Sequence, residues 1–207
     1  MLKAMRHLKF RQVNDVLLVL IVLINGYIIV APLYPQAEYW WKMHHGQAQQ
    51  KLTSELRQGT FASGSSAPVS RPNTLIVPSM LLNTPVLEGP VRDTYKILDK
   101  GIWRWPLGST PDKGSNTVLV GHRFTYTNPK GIFYYMDKVK VGDEIGLVWN
   151  NKRYTYKVAS VREVQPTETS VTAATPDARL TMYTCTPLWN PKHRLVVVAE
   201  LEEPSND

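Results

Sequence analysis

Glu144 to Val164 reads EIGLVWNNKRYTYKVASVREV. Tyr154, Tyr156 and Val158 alternate with Thr155, Lys157 and Ala159, the period-two pattern of a strand with one face buried. Asn150-Asn151 separates this run from the apolar run Glu144–Trp149 and predicts a hairpin turn. Working outward, further short apolar runs are separated by turn residues: Leu75–Pro78, Pro85–Leu87, Thr117–His122, Arg179–Cys185 and Arg194–Leu201. β-Branched residues dominate this half of the chain, which favours sheet. The 207 residues are 43% hydrophobic, enough for one core domain of about 120–140 residues. The expected fold class is all-β, a closed barrel of about seven to eight strands with short helices, over residues 74–203.

Upstream the composition changes. Gln58 to Asn73 contains Gly-Thr-Phe-Ala-Ser-Gly-Ser-Ser-Ala-Pro and then Ser-Arg-Pro-Asn, which is linker chemistry. Ala37 to Arg57 lacks strand alternation and reads as a polar helix or stalk. His44 and His45 lie in it, side by side and so not on one helix face, and read as exposed. Val16 to Leu33 is VLLVLIVLINGYIIVAPL, 18 residues without a charge. That approaches the roughly 20 residues that cross a bilayer core. Tyr34, Tyr39, Trp40 and Trp41 follow it as an interfacial belt would. The apolar run exceeds the roughly 7–15 residues of a signal-peptide core, and Ala31-Pro32-Leu33 is a poor cleavage site.

Lys3, Arg6, Lys9 and Arg11 precede this run, and only Lys42 follows closely. That asymmetry predicts a cytoplasmic N-terminus over 1–15, a transmembrane helix over 16–33, an extracellular stalk and linker over 34–73, the barrel outside, and a short tail over 204–207. The net charge is +7. Four positive residues against Asp15 account for +3 of it before residue 34, and the remaining +4 is dispersed. Nucleic-acid binding would require clustered Lys and Arg with interleaved aromatics, which the sequence lacks.

Cys185 is the single cysteine, so no intramolecular disulfide supports the fold. It ends a predicted strand, flanked by Thr184 and Thr186, and Pro187 fixes the exit of the chain. His122 ends another predicted strand after Gly121, a residue that permits close approach of other chain. Arg194 opens the last apolar run. A thiol, an imidazole and a guanidinium at strand ends supply nucleophile, proton carrier and oxyanion partner for acyl transfer. Arg123 and His193 are rivals for two of these places. Adjacent strand residues point to opposite faces, so only one of each pair can enter a common site.

Taken in order, these residues resemble the sortases, membrane-anchored cysteine transpeptidases of the bacterial surface. The resemblance covers about Thr74 to Glu203. Asn116-Thr117-Val118-Leu119-Val120-Gly121-His122-Arg123 is similar to the family's histidine strand. Thr181-Met182-Tyr183-Thr184-Cys185 is similar to its Thr-Leu-x-Thr-Cys signature, with Met182 in place of Leu, an exchange of similar volume. Cys185 followed by His193-Arg194-Leu195 has the family's spacing to its arginine.

The resemblance implies a sortase-type barrel and a division of labour. Cys185 would attack the backbone carbonyl inside a C-terminal Leu-Pro-x-Thr-Gly-like motif of a secreted protein and form a thioacyl-enzyme. His122 would protonate the leaving amine and deprotonate the incoming one. Arg194 would hydrogen-bond the oxyanion through its forked, permanently charged group. Thr184, Thr186, Pro187 and Trp189 are candidate substrate-binding residues, within or beside the loops Gln165–Asp177 and Thr186–His193.

The expected partners are sorting-motif proteins and an amine, from a cell-wall precursor or, alternatively, from a pilin lysine. No Asp-Pro-aromatic lid motif occurs, which favours the wall amine. No cofactor is expected. Glu163, Glu168 and Asp177 lack ligand spacing, while calcium activation, known in some members, stays open. Competing classes are an L,D-transpeptidase, a thiol protease and a catalytically inactive membrane-tethered binding module. The first would place a glycine or histidine beside the cysteine, and Thr184 and Thr186 stand there instead.

Overall fold

The computed structural model describes residues 10–57 and 72–202. Lys3, Arg6 and Lys9, the linker over 58–71 and the chain from 203 onward lie outside the described residues. The chain divides into two compact units, Met1–Ala48 and Gln49–Asp207.

In the first unit, α1 spans Phe10–Val30 and α2 spans Tyr34–His45. Gln12–Val30 within α1 is long and apolar enough to cross a membrane, with mean hydropathy 2.3 and none of it buried. The amide inside its uncharged run, Asn25, stays satisfied within the helix, its Nδ2 donating to the Ile21 carbonyl at 2.7 Å, as a bilayer core demands. The helix ends at Val30 rather than Leu33 because Pro32 has no N–H with which to continue the ladder. Pro35 then starts α2, in the first turn, where a missing N–H costs nothing. His44 and His45 are exposed, and their rings lie 4.7 Å from Trp40 and 4.4 Å from Trp41.

The second unit is built on eight strands: β1 Thr74–Val77, β2 Leu82–Leu87, β3 Ile102–Arg104, β4 Asn116–Val120, β5 Glu144–Trp149, β6 Lys152–Val164, β7 Arg179–Thr186 and β8 His193–Leu201. They close in the order β1-β2-β3-β4-β7-β8-β6-β5. β2/β3 and β4/β7 are parallel pairs, and the remaining six pairs are antiparallel. The Asn150-Asn151 turn has φ of 50° and 62°, left-handed values that asparagine tolerates and that match the twist of a two-residue hairpin. Inward-facing residues fill the barrel: Leu75, Ile102, Leu119, Ile145, Leu147, Tyr156, Leu180 and Met182 are each fully buried. Met182 thus occupies the core position where the signature has leucine. Burial also pushes the Tyr156 hydroxyl pKa above its usual value.

Two further helices flank the sheet: α3, Ala48–Arg57, and the short α4, Thr94–Leu98. The sequence reading placed Ala48–Arg57 in a stalk ahead of a fold that begins near Thr74. In the structure α3 is docked on the outside of the barrel. Leu56 is 5% exposed and fills the space above Gly146, where an added Cβ would come within 2.1 Å of Leu56 Cδ2. Arg153 Nη1 donates to the Leu56 carbonyl at 2.7 Å, and Asn83 Nδ2 donates to Glu55 Oε2 at 3.1 Å. The apolar stripe Leu52, Leu56 is narrow, but the missing side chain at 146 makes room for Leu56.

Candidate active site

β7 is the axis of the site. Its register against β8 sets Cys185 directly opposite Arg194 and Thr186 opposite His193. Directly opposed residues share a face, so Arg194 lies on the Cys185 face and His193 on the other. The β4 register sets Val120 beside Tyr183, and the ladder continues with Gly121 N–H donating to the Tyr183 carbonyl at 3.4 Å. His122 follows two residues past the end of β4, beyond its register with β7. Register therefore separates Arg194 from His193, and the bond from Arg123 to Thr186 separates Arg123 from His122.

Arg123 lies on the inner side and is 6% exposed. Its guanidinium is taken by Thr186 Oγ1 at 2.9 Å, Asp137 at 3.0 Å and the Tyr134 carbonyl at 3.5 Å. Buried charge survives only with such compensation. Thr184 and Thr186 are inward residues as well, 1% and 2% exposed. Thr184 Oγ1 donates to the Gly121 carbonyl at 2.7 Å, and Thr186 Oγ1 donates to Glu163 Oε1 at 3.3 Å. These two hydroxyls, read from sequence as substrate contacts, are turned into the barrel by the period of the strand. There they join β7 to the segment just past β4, to β6 and to Arg123.

His122 is fixed through its backbone. Phe133 N–H donates to the His122 carbonyl at 3.0 Å, and Gly131 N–H to the Arg123 carbonyl at 3.0 Å. A Cβ at Gly121 would approach Ile132 and Phe133 side-chain carbons to 2.8 Å, so glycine there lets the 131–134 turn lie across the strand end. The His122 ring is partly exposed, and its Nε2 lies 3.9 Å from Asp99 Oδ1, just after α4. Asp99 escaped the sequence reading because it belongs to an unrelated loop.

Cys185 is free and part-exposed. Arg194 Nε donates to the Tyr183 hydroxyl at 3.2 Å and its Nη1 donates to the His193 carbonyl at 3.1 Å. The β6–β7 connection is pinned on the same outer face. Val171, in a 3-10 turn, packs with Val164 and Val196, and Tyr183 and Val198 lie against them. Asn116 completes the pin, donating through Nδ2 to the Val171 and Ala173 carbonyls at 3.1 and 2.9 Å while accepting from Thr181 Oγ1 at 2.7 Å. In the other connection Pro187 is exposed. Trp189, 59% exposed with φ of 70°, has its ring 5.1 Å from that of Phe124. The carboxylates read as lacking ligand spacing are engaged locally: Glu163 with Thr186, Glu168 with Arg162, and Asp177 with Arg179. Among the described residues no group of three His, Cys, Asp or Glu side chains gathers.

A sortase-domain profile matches residues 75–202. Sortase SrtE1 of Streptomyces coelicolor is 29% identical over 195 residues, covering 83% of this chain and 53% of that protein, so the chain spans about half of it. Sortase A of Bacillus anthracis is 27% identical over 210 residues, covering 92% of this chain and 95% of that one. Among solved structures, Listeria monocytogenes sortase A is 30% identical with a TM-score of 0.54, over 63% of this chain and 86% of that one. A Clostridium perfringens sortase D5 transpeptidase superposes with a TM-score of 0.56 at 22% identity, over 81% of this chain and 95% of the other. That last likeness concerns the fold alone.

Proposed function

The chain belongs to the sortase family, whose members are membrane-anchored cysteine transpeptidases, and on that premise we propose that Cys185, His122 and Arg194 are its catalytic residues. The observation that carries this reading is the direct cross-strand pair of Cys185 and Arg194, with His122 two residues past the end of the neighbouring strand β4. The substrate is a secreted protein ending in a Leu-Pro-x-Thr-Gly-like motif.

The Cys185 thiolate adds to the threonine carbonyl, and the charge that develops on oxygen is met by Arg194 N–H donors. His122 gives a proton to the departing glycine amine as the C–N bond breaks, leaving a thioester on Cys185. An incoming primary amine adds to the thioester and loses a proton to His122. Collapse forms the new amide and frees the thiolate. The acceptor is an amine of a cell-wall precursor rather than a pilin lysine, a choice supported by the lack of an Asp-Pro-aromatic motif in the sequence. Exposed Pro187 and Trp189 in the β7–β8 loop contact the substrate. α1 spans the membrane with the N-terminus in the cytoplasm, supported by Lys3, Arg6, Lys9 and Arg11 ahead of it.

The test is mass spectrometry of the full chain in detergent, incubated with a Leu-Pro-x-Thr-Gly peptide library and triglycine. A ligated product that disappears in Cys185→Ala is the expected result. Cleavage without ligation would mean a hydrolase, and equal product from Cys185→Ala would sink the reading.

A further inference from the structure

Tyr183 is the variable residue of the Thr-Met-Tyr-Thr-Cys run, and its hydroxyl touches one of the three residues assigned above. Cys185 is opposite Arg194 and Tyr183 is opposite Val196, so Tyr183 and Arg194 are diagonal neighbours on one face. A long side chain can close that diagonal, and here it does, Arg194 Nε donating to Tyr183 Oη at 3.2 Å.

We propose that Tyr183 is a positioning residue that holds the Arg194 guanidinium in the orientation used at the oxyanion. The inference rests on the catalytic reading of Arg194 and extends it to the residue that makes an arginine usable there. A free arginine side chain carries about 2 kcal/mol of rotamer entropy. An oxyanion donor is worth most when it is already in place before charge develops.

Tyr183 supplies the fixed point. Its ring rests on the cluster of Val164, Val171 and Val196, all at most 7% exposed. With Nε on Tyr183 and one Nη1 hydrogen on the His193 carbonyl, the group is held at two of its nitrogens. Nη2 takes no partner among the described residues, which leaves its two N–H groups for a substrate oxygen.

The choice of a phenol follows from charge. A carboxylate at this position would hold the arginine equally well but would neutralise it. A neutral hydroxyl fixes the group and leaves its positive charge for the transition state. Val171 belongs to the β6–β7 connection, so the same cluster ties that loop to the arginine's support.

The experiment is steady-state kinetics of the full chain in detergent, with one Leu-Pro-x-Thr-Gly peptide that the wild type ligates to triglycine. Tyr183→Phe keeps the ring and removes the acceptor. It should lower kcat by about tenfold at unchanged peptide KM, the scale of a hydrogen bond to a charged group, with an unchanged melting temperature. In an Arg194→Ala background the same substitution should add no further loss, because the partner is gone. Wild-type kcat in Tyr183→Phe, with Cys185→Ala inactive, overturns this inference and leaves the transpeptidase reading standing. A full additional loss in the Arg194→Ala background also overturns it, placing Tyr183's effect elsewhere. Failure of the wild type to ligate any peptide overturns both readings together.

Discussion

The two faces of β7 do opposite things with neighbouring residues. On the inner face, Met182, Thr184 and Thr186 are all at most 2% exposed, and both hydroxyls are bonded within the barrel. On the outer face, Tyr183 and Cys185 are part-exposed beside Arg194, whose Nη2 has no partner among the described residues. A run of five residues therefore alternates between buried, bonded side chains and part-exposed ones. The unreactive half fixes where the strand sits, so the other half can remain underbonded without losing its position.

The largest effect that sharpens this contrast is on activity. Cys185→Ala should abolish ligation while the melting temperature moves by no more than about 2 °C, since one part-exposed sulfur contributes little packing. Product mass and a thermal melt on the same sample check both halves of the statement. Arg123→Met is the inverse case. It removes the buried donor to Thr186 and the Tyr134 carbonyl and leaves Asp137 with Lys138 alone, 3.2 Å away, and should cost about 1–3 kcal/mol, read from the urea midpoint. A stable, active Arg123→Met would break the division between faces.

Thr184→Val keeps the shape and leaves the Gly121 carbonyl unpaired. About 1–2 kcal/mol should be lost in the same titration, with the activity loss small beside that of Cys185→Ala. The smallest effect at neutral pH belongs to Tyr156→Phe, deep in the core. The folded Tyr156 pKa lies above its unfolded value near 10. Its proton is kept by the native state and lost by the unfolded chain above that pH. The contribution is therefore fully present below about pH 10 and declines as pH rises from there towards the folded value. Removing the phenol should flatten the alkaline fall in stability by about 1.4 kcal/mol per pH unit. Urea midpoints at successive pH values between about 9 and 12 measure that slope.

Much of this was legible in the residues. The alternation in Arg153–Val164 and the Asn150-Asn151 turn carried the barrel reading, because period two and left-handed φ are both properties of local sequence. β3 was not legible. Its three residues, Ile102–Arg104, are too few to show any period, and its partners β2 and β4 supply the order. α3 read as a stalk because docking depends on the absence of a side chain at Gly146, ninety residues downstream of Leu56. In the site, residue types pointed to a thiol, an imidazole and a guanidinium, and register then set Arg194 rather than His193 opposite Cys185. Register also turned Thr184 and Thr186 inward, which flanking position alone does not disclose. Asp99 and the Tyr183–Arg194 contact depend on loop placement and on a diagonal, neither of which has a signal along the chain.

The parallel seam between β4 and β7 has a temporal meaning. β7 and β8 are joined by six residues, so Cys185 and Arg194 meet through a short closure. His122 is sixty-three residues from Cys185, and the pairing of β4 with β7 closes a loop that contains both β5 and β6. Loop entropy and non-local pairing make that the slower event. The order is readable by pulsed hydrogen exchange, with β7–β8 amides expected to be protected before those joining β4 to β7. If that order holds, the thiol meets the arginine before the imidazole arrives, and on the proposed mechanism closure of the barrel is itself the activating step.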